Sequence, residues 1–281
     1  MVSENNSTPI ELDGFLCYAP ELAHSNEDFP ADGFESLYRH EETNFWFVTR
    51  NQVILNLIRS YTSSQNFSFL EIGCGTGYVL KAVQSITNQK IVGAEIHTGG
   101  LKFAQSRVPN AQFIQLDATR IPFSNTYDAI GAFDVLEHIS EDEVVMQQIM
   151  KALKPGGYFY ISVPQYPWMW SYLDDIAYHK RRYTRKELIS KLKNAGFQVP
   201  YCGSFVFSLF PAMVMSRWLN NKPQNKQGEN MSADREFNMP AWMNALFTSI
   251  LKIDVVFIRL GFQLPFGGSI IAVAQKPESI K

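Results

Sequence analysis

A glycine-rich turn between an apolar run and a helical pattern constrains this chain most. The run 69–72 is followed by Gly73, Gly75 and Gly77, and the helical pattern begins at Tyr78. Glycine at every second position lets the backbone turn tightly and approach a ligand that a Cβ atom would exclude. In a doubly wound sheet, such a turn lies at the carboxyl end of the first strand, where these folds bind ligands. The segment therefore predicts a ligand site.

Later strand patterns also end at residues suited to a ligand site. Glu95 and Ile96 close the second strand, and a carboxylate there can accept hydrogen bonds from both hydroxyl groups of a ribose. Asp117 and Ala118 follow the third strand, where the acid can accept from an exocyclic amine, and Asp134 follows the fourth. The second to fifth strand patterns cover residues 90–96, 111–116, 127–133 and 158–163. These acids at carboxyl strand ends predict one composite site.

These motifs resemble those of the class I S-adenosylmethionine-dependent methyltransferases. E-x-G-x-G-x-G, the ribose acid, the D-A pair, D-x-L-E-H and L-K-P-G-G occur in that family's order and spacing, over residues 45–205 and the final strand. A nicotinamide dehydrogenase would prefer G-x-G-x-x-G, and Tyr78 stands where its last glycine would be. The resemblance implies an α/β fold with a doubly wound, Rossmann-like sheet of seven strands, the last one antiparallel.

The resemblance also implies S-adenosyl-L-methionine as the methyl donor and S-adenosyl-L-homocysteine as the product. The segment from Trp46 to Arg50 is similar to one that the family carries before its first strand. It predicts an aromatic lid, with Arg50 bonded to the methionine carboxylate; core packing is the alternative. The residues predicted to bind the cofactor are Arg50, Glu71, Gly73, Cys74, Gly75, Gly77, Glu95, Ile96, Asp117, Ala118 and Asp134.

The chain divides into a short lead and one large domain. Residues 1–32 are polar and carry three prolines, so we expect an irregular lead. The resemblance implies that residues 33–281 form the methyltransferase domain, and we expect strand six at 197–205 and strand seven at 269–275. Residues 206–267 are then a helical insertion between these strands, a lid or acceptor cover.

The insertion has two interpretations. Its apolar start, and a helix over 241–261 with Lys252 and Arg259 on a narrow polar face, can cover the acceptor pocket and contact a membrane surface. Alternatively, both helices pack on each other and on the core. We expect Asp254, on the apolar side of the second helix, to pair with a neighbouring arginine. The polar stretch 220–240 between the helices is predicted to be mobile.

Two histidines are candidates for proton removal from the acceptor. His138 follows the fourth strand, and His179 lies in a loop after the fifth, at the same end of the sheet. An unperturbed imidazole titrates near neutrality, so either suits a general base. The aromatic and basic residues around this loop predict an acceptor pocket, and a solvated charged face is the alternative. The predicted substrate residues are Trp46, Trp168, Tyr172, Arg182 and Tyr183.

Charge, cysteine content and the first residues narrow the functional class of the protein further. Net charge is −2, so no overall basic field attracts nucleic acid. The three cysteines form no C-x-x-C pair, and the first residues lack the pattern of a signal peptide, which predicts a cytoplasmic protein. We expect no metal, because Asp134 and Glu137 alone do not make the acidic triad of metal-dependent O-methyltransferases.

The resulting expectation is a metal-independent methyltransferase. Its acceptor would be a small or lipid-linked molecule methylated on oxygen or carbon, and its contact with a membrane would be peripheral. The alternative from another class is a non-catalytic protein that binds S-adenosylmethionine and acts through protein contacts. The sequence makes no prediction of an oligomeric state.

Overall fold

A mixed β-sheet organises the computed structural model, which describes residues 8–25, 33–62, 64–219 and 239–278. In these ranges the sheet has nine strands in the order β1-β2-β5-β4-β3-β6-β7-β9-β8. The strands are β1 Ile10–Leu12, β2 Phe15–Cys17, β3 Phe69–Ile72, β4 Ile91–Glu95, β5 Gln112–Gln115, β6 Tyr127–Phe133, β7 Leu153–Pro164, β8 Gln198–Phe205 and β9 Ser269–Gln275.

The order of the strands reverses at β3, which fixes the place of the site. β3 pairs in parallel with β4 on one side and with β6 on the other. A crevice opens outside the carboxyl ends of the strands at such a switch point. β9 runs antiparallel to both β7 and β8. The predicted doubly wound, Rossmann-like sheet with an antiparallel last strand is therefore confirmed.

The two strands beyond the predicted seven come from the lead. β1 and β2 form an antiparallel hairpin, and β2 pairs in parallel with β5 through Leu16 and Ile114. The side chain of Gln115 holds the next residues, because it accepts from the Ala19 amide at 3.0 Å and donates to the Ala19 carbonyl at 2.7 Å. The expectation of an irregular lead is wrong for residues 10–17. Residues 1–7 and 26–32 lie outside the described ranges.

Helices cover both faces of the sheet and bury two apolar layers. The helices are α1 Gly33–His40, α2 Phe45–Tyr61, α3 Tyr78–Gln84, α4 Thr98–Arg107, α5 Asp142–Ala152, α6 Tyr172–Ile176, α7 Arg185–Asn194, α8 Phe210–Leu219 and α9 Ala241–Arg259. One layer holds apolar residues of α2, α3, α4 and α9, and the other holds those of α5 and α7. Full burial of one such side chain stabilises the fold by roughly 1.5–3 kcal/mol.

The insertion packs on the sheet through α9, which lies against α2. The ring centroids of Phe45 and Phe247 are 5.3 Å apart. Asn244 accepts a hydrogen bond from the Phe45 amide at 2.7 Å and donates one to the Thr43 carbonyl at 2.8 Å. Among the described helices, α9 is the one whose length and hydropathy would suffice to cross a membrane, and 22% of its apolar window is buried. Residues 220–238, within the stretch predicted to be mobile, lie outside the described ranges.

Asp254 on α9 has a different partner from the expected arginine. Its carboxylate accepts from the Phe207 amide at 2.6 Å and from the Ser208 amide and hydroxyl group. The prediction of an arginine pair is wrong, because the chain leaving β8 turns and presents these backbone donors instead. Asp254 thus fixes the start of the insertion to its second helix.

Candidate functional site

A cavity of about 1230 Å³ opens at the carboxyl ends of the central strands. One end is formed by the glycine turn after β3 and the acids after β4 and β5, and the other by the histidine loops after β6 and β7. The cavity brings together most of the residues that the sequence predicts. Those lining it are Trp46, Arg50, Glu71, Gly73, Cys74, Gly75, Glu95, Ile96, Asp117, Ala118, Asp134, His138, His179 and Arg182.

The turn after β3 depends on glycine at two positions. Gly73 and Gly75 have φ angles of +65° and +50°, in the left-handed region. A Cβ atom at Gly73 would lie 2.4 Å from Cγ2 of Val135, so the loop after β6 leaves no room for a side chain there. At Gly75, a Cβ atom would meet no described atom within 4 Å. The turn therefore presents bare backbone to the cavity.

Glu95 joins this turn to the end of β4. One carboxylate oxygen accepts from the Gly75 amide at 3.0 Å, and the other accepts from the Ile96 amide at 2.8 Å. The residue is buried, with 7% of its surface exposed. A carboxylate held by two backbone donors has a fixed orientation and still has lone pairs for hydroxyl donors of a ligand.

Asp117 is held in a similar way after β5. One oxygen accepts from the amide and hydroxyl groups of Thr119 at 2.8 and 2.7 Å, and the other accepts from Nε of Arg120 at 2.9 Å. These bonds cap the turn that contains Ala118. The side chain is therefore an oriented acceptor at the edge of the cavity, about one strand away from Glu95.

A buried charged pair occupies the middle of the cavity. Arg50 forms an ion pair with Asp134, whose φ of +57° lies in the left-handed region. The guanidinium carbon lies 4.7 Å from the centre of the Trp46 ring. Burial lowers the pKa of Arg50, although nearby carboxylates including Glu41 and Glu71 oppose this. Arg50 was expected to bind the methionine carboxylate of the cofactor, and its partner among the described residues is Asp134.

Glu71, at the end of β3, adds a second carboxylate. It is 3% exposed, and one of its oxygens has no hydrogen-bond partner in the described part of the chain. Burial raises the pKa of Glu71 well above its usual value, in spite of the nearby Arg50. An oriented but unpartnered carboxylate at the glycine turn is a ready acceptor for a cationic or N–H group of a ligand.

At the other end of the cavity, His179 is oriented by a buried carboxylate. Nδ1 of His179 lies 2.9 Å from Asp174, and Arg182 donates two hydrogen bonds to the same carboxylate at 2.6 and 2.9 Å. Asp174 also accepts from the Ser171 amide at the start of α6. Burial alone would raise the pKa of Asp174, but the bonds from His179 and Arg182 hold it below its usual value.

Glu137 and His138 lie directly beside His179. The two imidazole rings meet edge to face, with centroids 4.8 Å apart. Glu137 is fully buried, and burial raises its pKa to about 8, although its own amide group, Arg50 and Arg182 oppose this. Burial and the neighbouring His179 lower the pKa of His138 to about 3, which keeps the ring neutral. The sequence analysis considered Glu137 only as part of an acidic triad that it judged incomplete, and nothing local in D-x-L-E-H signals its complete burial.

Four predicted site residues lie away from the cavity lining. Gly77 is the N-cap of α3, where a Cβ atom would lie 3.1 Å from Ala104. Trp168 and Tyr172 are exposed. Tyr183 is buried and donates to Asp142 at 2.7 Å, so it braces α5 instead of contacting a ligand. The sequence analysis missed the cavity wall contributed by α1, and it expected the insertion to cover the acceptor pocket without naming the residues that do so. These wall residues are Phe34, Leu37, Leu209, Ala212, Met213 and Arg217.

Comparison with known proteins also identifies a methyltransferase domain. Residues 70–161 match the family model described as a methyltransferase domain. A probable S-adenosylmethionine-dependent methyltransferase of Mycolicibacterium smegmatis is 24% identical over 173 residues, which cover 60% of this chain and 66% of the relative. A ubiquinone biosynthesis O-methyltransferase of Chromobacterium violaceum is 25% identical over 118 residues, or 40% of this chain and 50% of that enzyme. The chain thus spans less than two thirds of these relatives.

A solved structure has a similar fold. Phosphoethanolamine N-methyltransferase 2 of Haemonchus contortus, in complex with S-adenosyl-L-methionine, superposes with a TM-score of 0.58 at 16% identity, over 92% of this chain and 60% of that one. The ordered motifs, the strand order and the matched domain lead to one conclusion. Residues 70–161 of the chain form a methyltransferase domain of the class I S-adenosylmethionine-dependent type.

Proposed function

We propose that this protein transfers a methyl group from S-adenosyl-L-methionine to a small or lipid-linked acceptor, on oxygen or carbon. The observation that carries the proposal is the continuity of the cavity. One space is lined at one end by the glycine turn, Glu95 and Asp117, and at the other by His138 and His179. A donor and an acceptor can therefore meet in it, and alignment of two reactants lowers the barrier of a displacement.

The residues present fit the cofactor. The open space at Gly75 suits the close approach of a ligand chain to the backbone. Glu95 is oriented to accept from ribose hydroxyl groups, and Asp117 to accept from an exocyclic amine. Glu71 has an unpartnered oxygen for the amino group of the methionine part. When bound, the cofactor supplies a methyl group already activated on a sulfonium.

The acceptor side combines polar groups with apolar walls. Asp174 fixes Nδ1 of His179, which leaves Nε2 to act on an acceptor hydroxyl group. Leu209 and Met213 of the insertion line the same space. A polar reacting centre beside apolar walls suits an acceptor that carries a hydroxyl group or an acidic carbon on an apolar body.

The outer face of α9 supports a lipid-linked acceptor. This α9 face, defined by its exposed apolar residues, consists of Trp242, Leu246, Ile253, Val256, Phe257 and Leu260. The exposed Lys252 and Arg259 lie on the same helix and would complement anionic headgroups. We therefore assign this face to the surface of a bilayer from which the acceptor is taken.

Two measurements test the methyl transfer. Calorimetry with S-adenosylhomocysteine should show one binding site on the folded protein. Incubation with a total lipid and metabolite extract and labelled S-adenosylmethionine should yield products heavier by one labelled methyl group, only when the protein is present. Binding without any transfer would favour the non-catalytic alternative, and a folded protein that binds neither cofactor nor product would contradict the proposal.

A further inference from the structure

Three side chains at the acceptor end of the cavity are arranged like ligands of one cation. Glu137, His138 and His179 each offer one ligand atom, and these atoms lie within 4.8 Å of one another. Ligand atoms that share a cation at 2.0–2.2 Å are about 3–3.5 Å apart. Atoms at the largest of these separations therefore need to approach each other by roughly 1.3–1.8 Å.

The burial of Glu137 is the second, independent observation. The residue is 0% exposed, and neither carboxylate oxygen has a hydrogen-bond partner within the described ranges. Its neighbouring arginines already have partners, because Arg50 pairs with Asp134 and Arg182 with Asp174. Burial of a carboxyl group without a hydrogen-bond partner is unfavourable, and buried carboxylates are normally paired or bound to a metal.

His138 and His179 are also positioned to coordinate a cation. Asp174 binds Nδ1 of His179, and this arrangement fixes the ring and makes Nε2 a better ligand. Nδ1 of His138 is buried and, over the described residues, makes no hydrogen bond. Histidines that bind metals in proteins commonly have such an outer carboxylate.

We propose that Glu137, His138 and His179 bind a divalent transition-metal ion, such as Zn²⁺ or Mn²⁺, beside the methyl-transfer site. Two imidazole nitrogens and one carboxylate leave coordination positions open, as in catalytic metal sites. This set differs from the acidic triad that the sequence analysis sought. The expectation of a metal-independent enzyme came from Asp134 and Glu137 alone, whereas the fold adds two imidazoles to Glu137.

The site deepens the proposed function and rests on it, because it selects a hydroxyl acceptor. An acceptor oxygen on the cation becomes more acidic, since a bound cation stabilises the alkoxide or phenoxide. The O–H bond breaks and its proton passes to solvent water. The oxygen lone pair then forms the new C–O bond while the methyl carbon–sulfur bond breaks, and sulfur keeps that electron pair. His179 then acts as a ligand and not as the base.

The test measures metal binding directly and needs no acceptor. The full chain is purified without an affinity tag, treated with a chelator and dialysed against Zn²⁺, Mn²⁺ or Co²⁺. The amount of metal bound per chain is then measured by mass spectrometry. We expect one equivalent, and for Co²⁺ a visible absorption band. Glu137→Gln keeps the volume and should remove most of the bound metal. Asp174→Asn, outside the first coordination sphere, should weaken binding roughly 10- to 100-fold.

The exposed His24 provides a matched control, since His24→Ala should retain wild-type metal content. Wild-type protein that retains no equivalent of any of the three ions would overturn the proposal, whatever the variants do. Equal metal content in wild type and a folded Glu137→Gln would overturn it as well. Metal binding without methyl transfer would leave the site in place and contradict the proposed function instead, so the two failures are distinguishable.

Discussion

At the scale of single residues, a Glu95 variant gives the sharpest test of the end of the cavity that is proposed to bind the cofactor. Glu95→Ala removes the acceptor for ribose hydroxyl groups and also frees the Gly75 amide. We expect binding of S-adenosylhomocysteine to weaken by about 1–3 kcal/mol, the usual effect of losing a charged hydrogen-bond group. Calorimetry measures this directly. Glu143→Ala, at an exposed carboxylate of α5, should bind like wild type. Unchanged affinity of the Glu95 variant would remove this residue from the site.

His179 tests the acceptor end in the same way. His179→Ala should lower turnover on the true acceptor roughly 10²- to 10⁴-fold, because either reading, direct proton removal by His179 or a cation that it holds, makes it responsible for deprotonating the acceptor. Cofactor affinity should stay nearly intact, because His179 lies at the opposite end of the cavity from Glu95. Steady-state kinetics and calorimetry on the same preparation check both parts. A variant with full activity would transfer the role to His138 or to neither histidine.

Residue patterns predicted that Gly73 and Glu95 would lie together at the carboxyl ends of the strands, but they did not predict the surroundings of Glu137, and the reason is physical. Gly73 and Glu95 satisfy local backbone requirements, a positive φ and a hydrogen bond to a nearby loop, so their positions follow from short motifs. Glu137 is different. Its burial and its nearness to His179 depend on how the loops after β6 and β7 pack, and a one-dimensional pattern carries little of that information.

At the scale of elements, Asp254 determines how α9 holds the start of the insertion. Asp254→Ala would leave the amide groups of Phe207 and Ser208 without their acceptor. We expect a loss of about 1–3 kcal/mol in the free energy of unfolding. Thermal unfolding should therefore shift down by several degrees, at roughly 2–4 °C per kcal/mol for a chain of this size class.

The conservative variant distinguishes the hydrogen bonds from the space that the side chain fills. Asp254→Asn keeps one acceptor oxygen, so its unfolding temperature should fall between those of wild type and Asp254→Ala. Burial raises the pKa of Asp254, so the fold disfavours the ionised carboxylate relative to solvent, and Asn avoids that unfavourable contribution. Equal unfolding temperatures for wild type and Asp254→Ala would show that these bonds do not hold the element.

The sequence predicted the long helices and strands that have regular patterns. It did not predict the very short strands or the contacts between residues far apart in the chain. The central strands follow from apolar runs that end in turns or acids, and the antiparallel direction of β9 was implied by the family resemblance. β1 and β2 have three residues each, too few for a period to be visible, and β2 finds its partner β5 almost a hundred positions away. Asp254 likewise binds donors 46 and 47 positions earlier, so the arginine pair expected from local composition was wrong.

At the scale of the whole molecule, the insertion joins the cavity to an outer apolar surface. Leu209 and Met213 line the cavity, while α9 packs one side on α2 and exposes Trp242, Val256 and Leu260 on another. The two interpretations of the insertion are therefore not exclusive: α9 both packs on the core and leaves an apolar face outward. A face of this kind on a protein with a deep apolar-walled cavity suits an enzyme that takes its acceptor from a bilayer.

Binding to vesicles tests this arrangement. The chain should sediment with anionic vesicles of phosphatidylglycerol and phosphatidylcholine at low salt, and less with phosphatidylcholine alone, because Lys252 and Arg259 add an electrostatic contribution.

The double variant Trp242→Glu and Leu260→Glu changes side chains that are 67% and 68% exposed, so folding should be unaffected. Losing the burial of two large apolar side chains should weaken vesicle binding at least about tenfold. Ile10→Glu changes an apolar side chain on β1 that is 52% exposed, and this variant should bind like wild type. If the wild-type chain stays in the supernatant with anionic vesicles at low salt, the bilayer is not the partner of the α9 face, and α8 and α9 act only as a cover for the cavity.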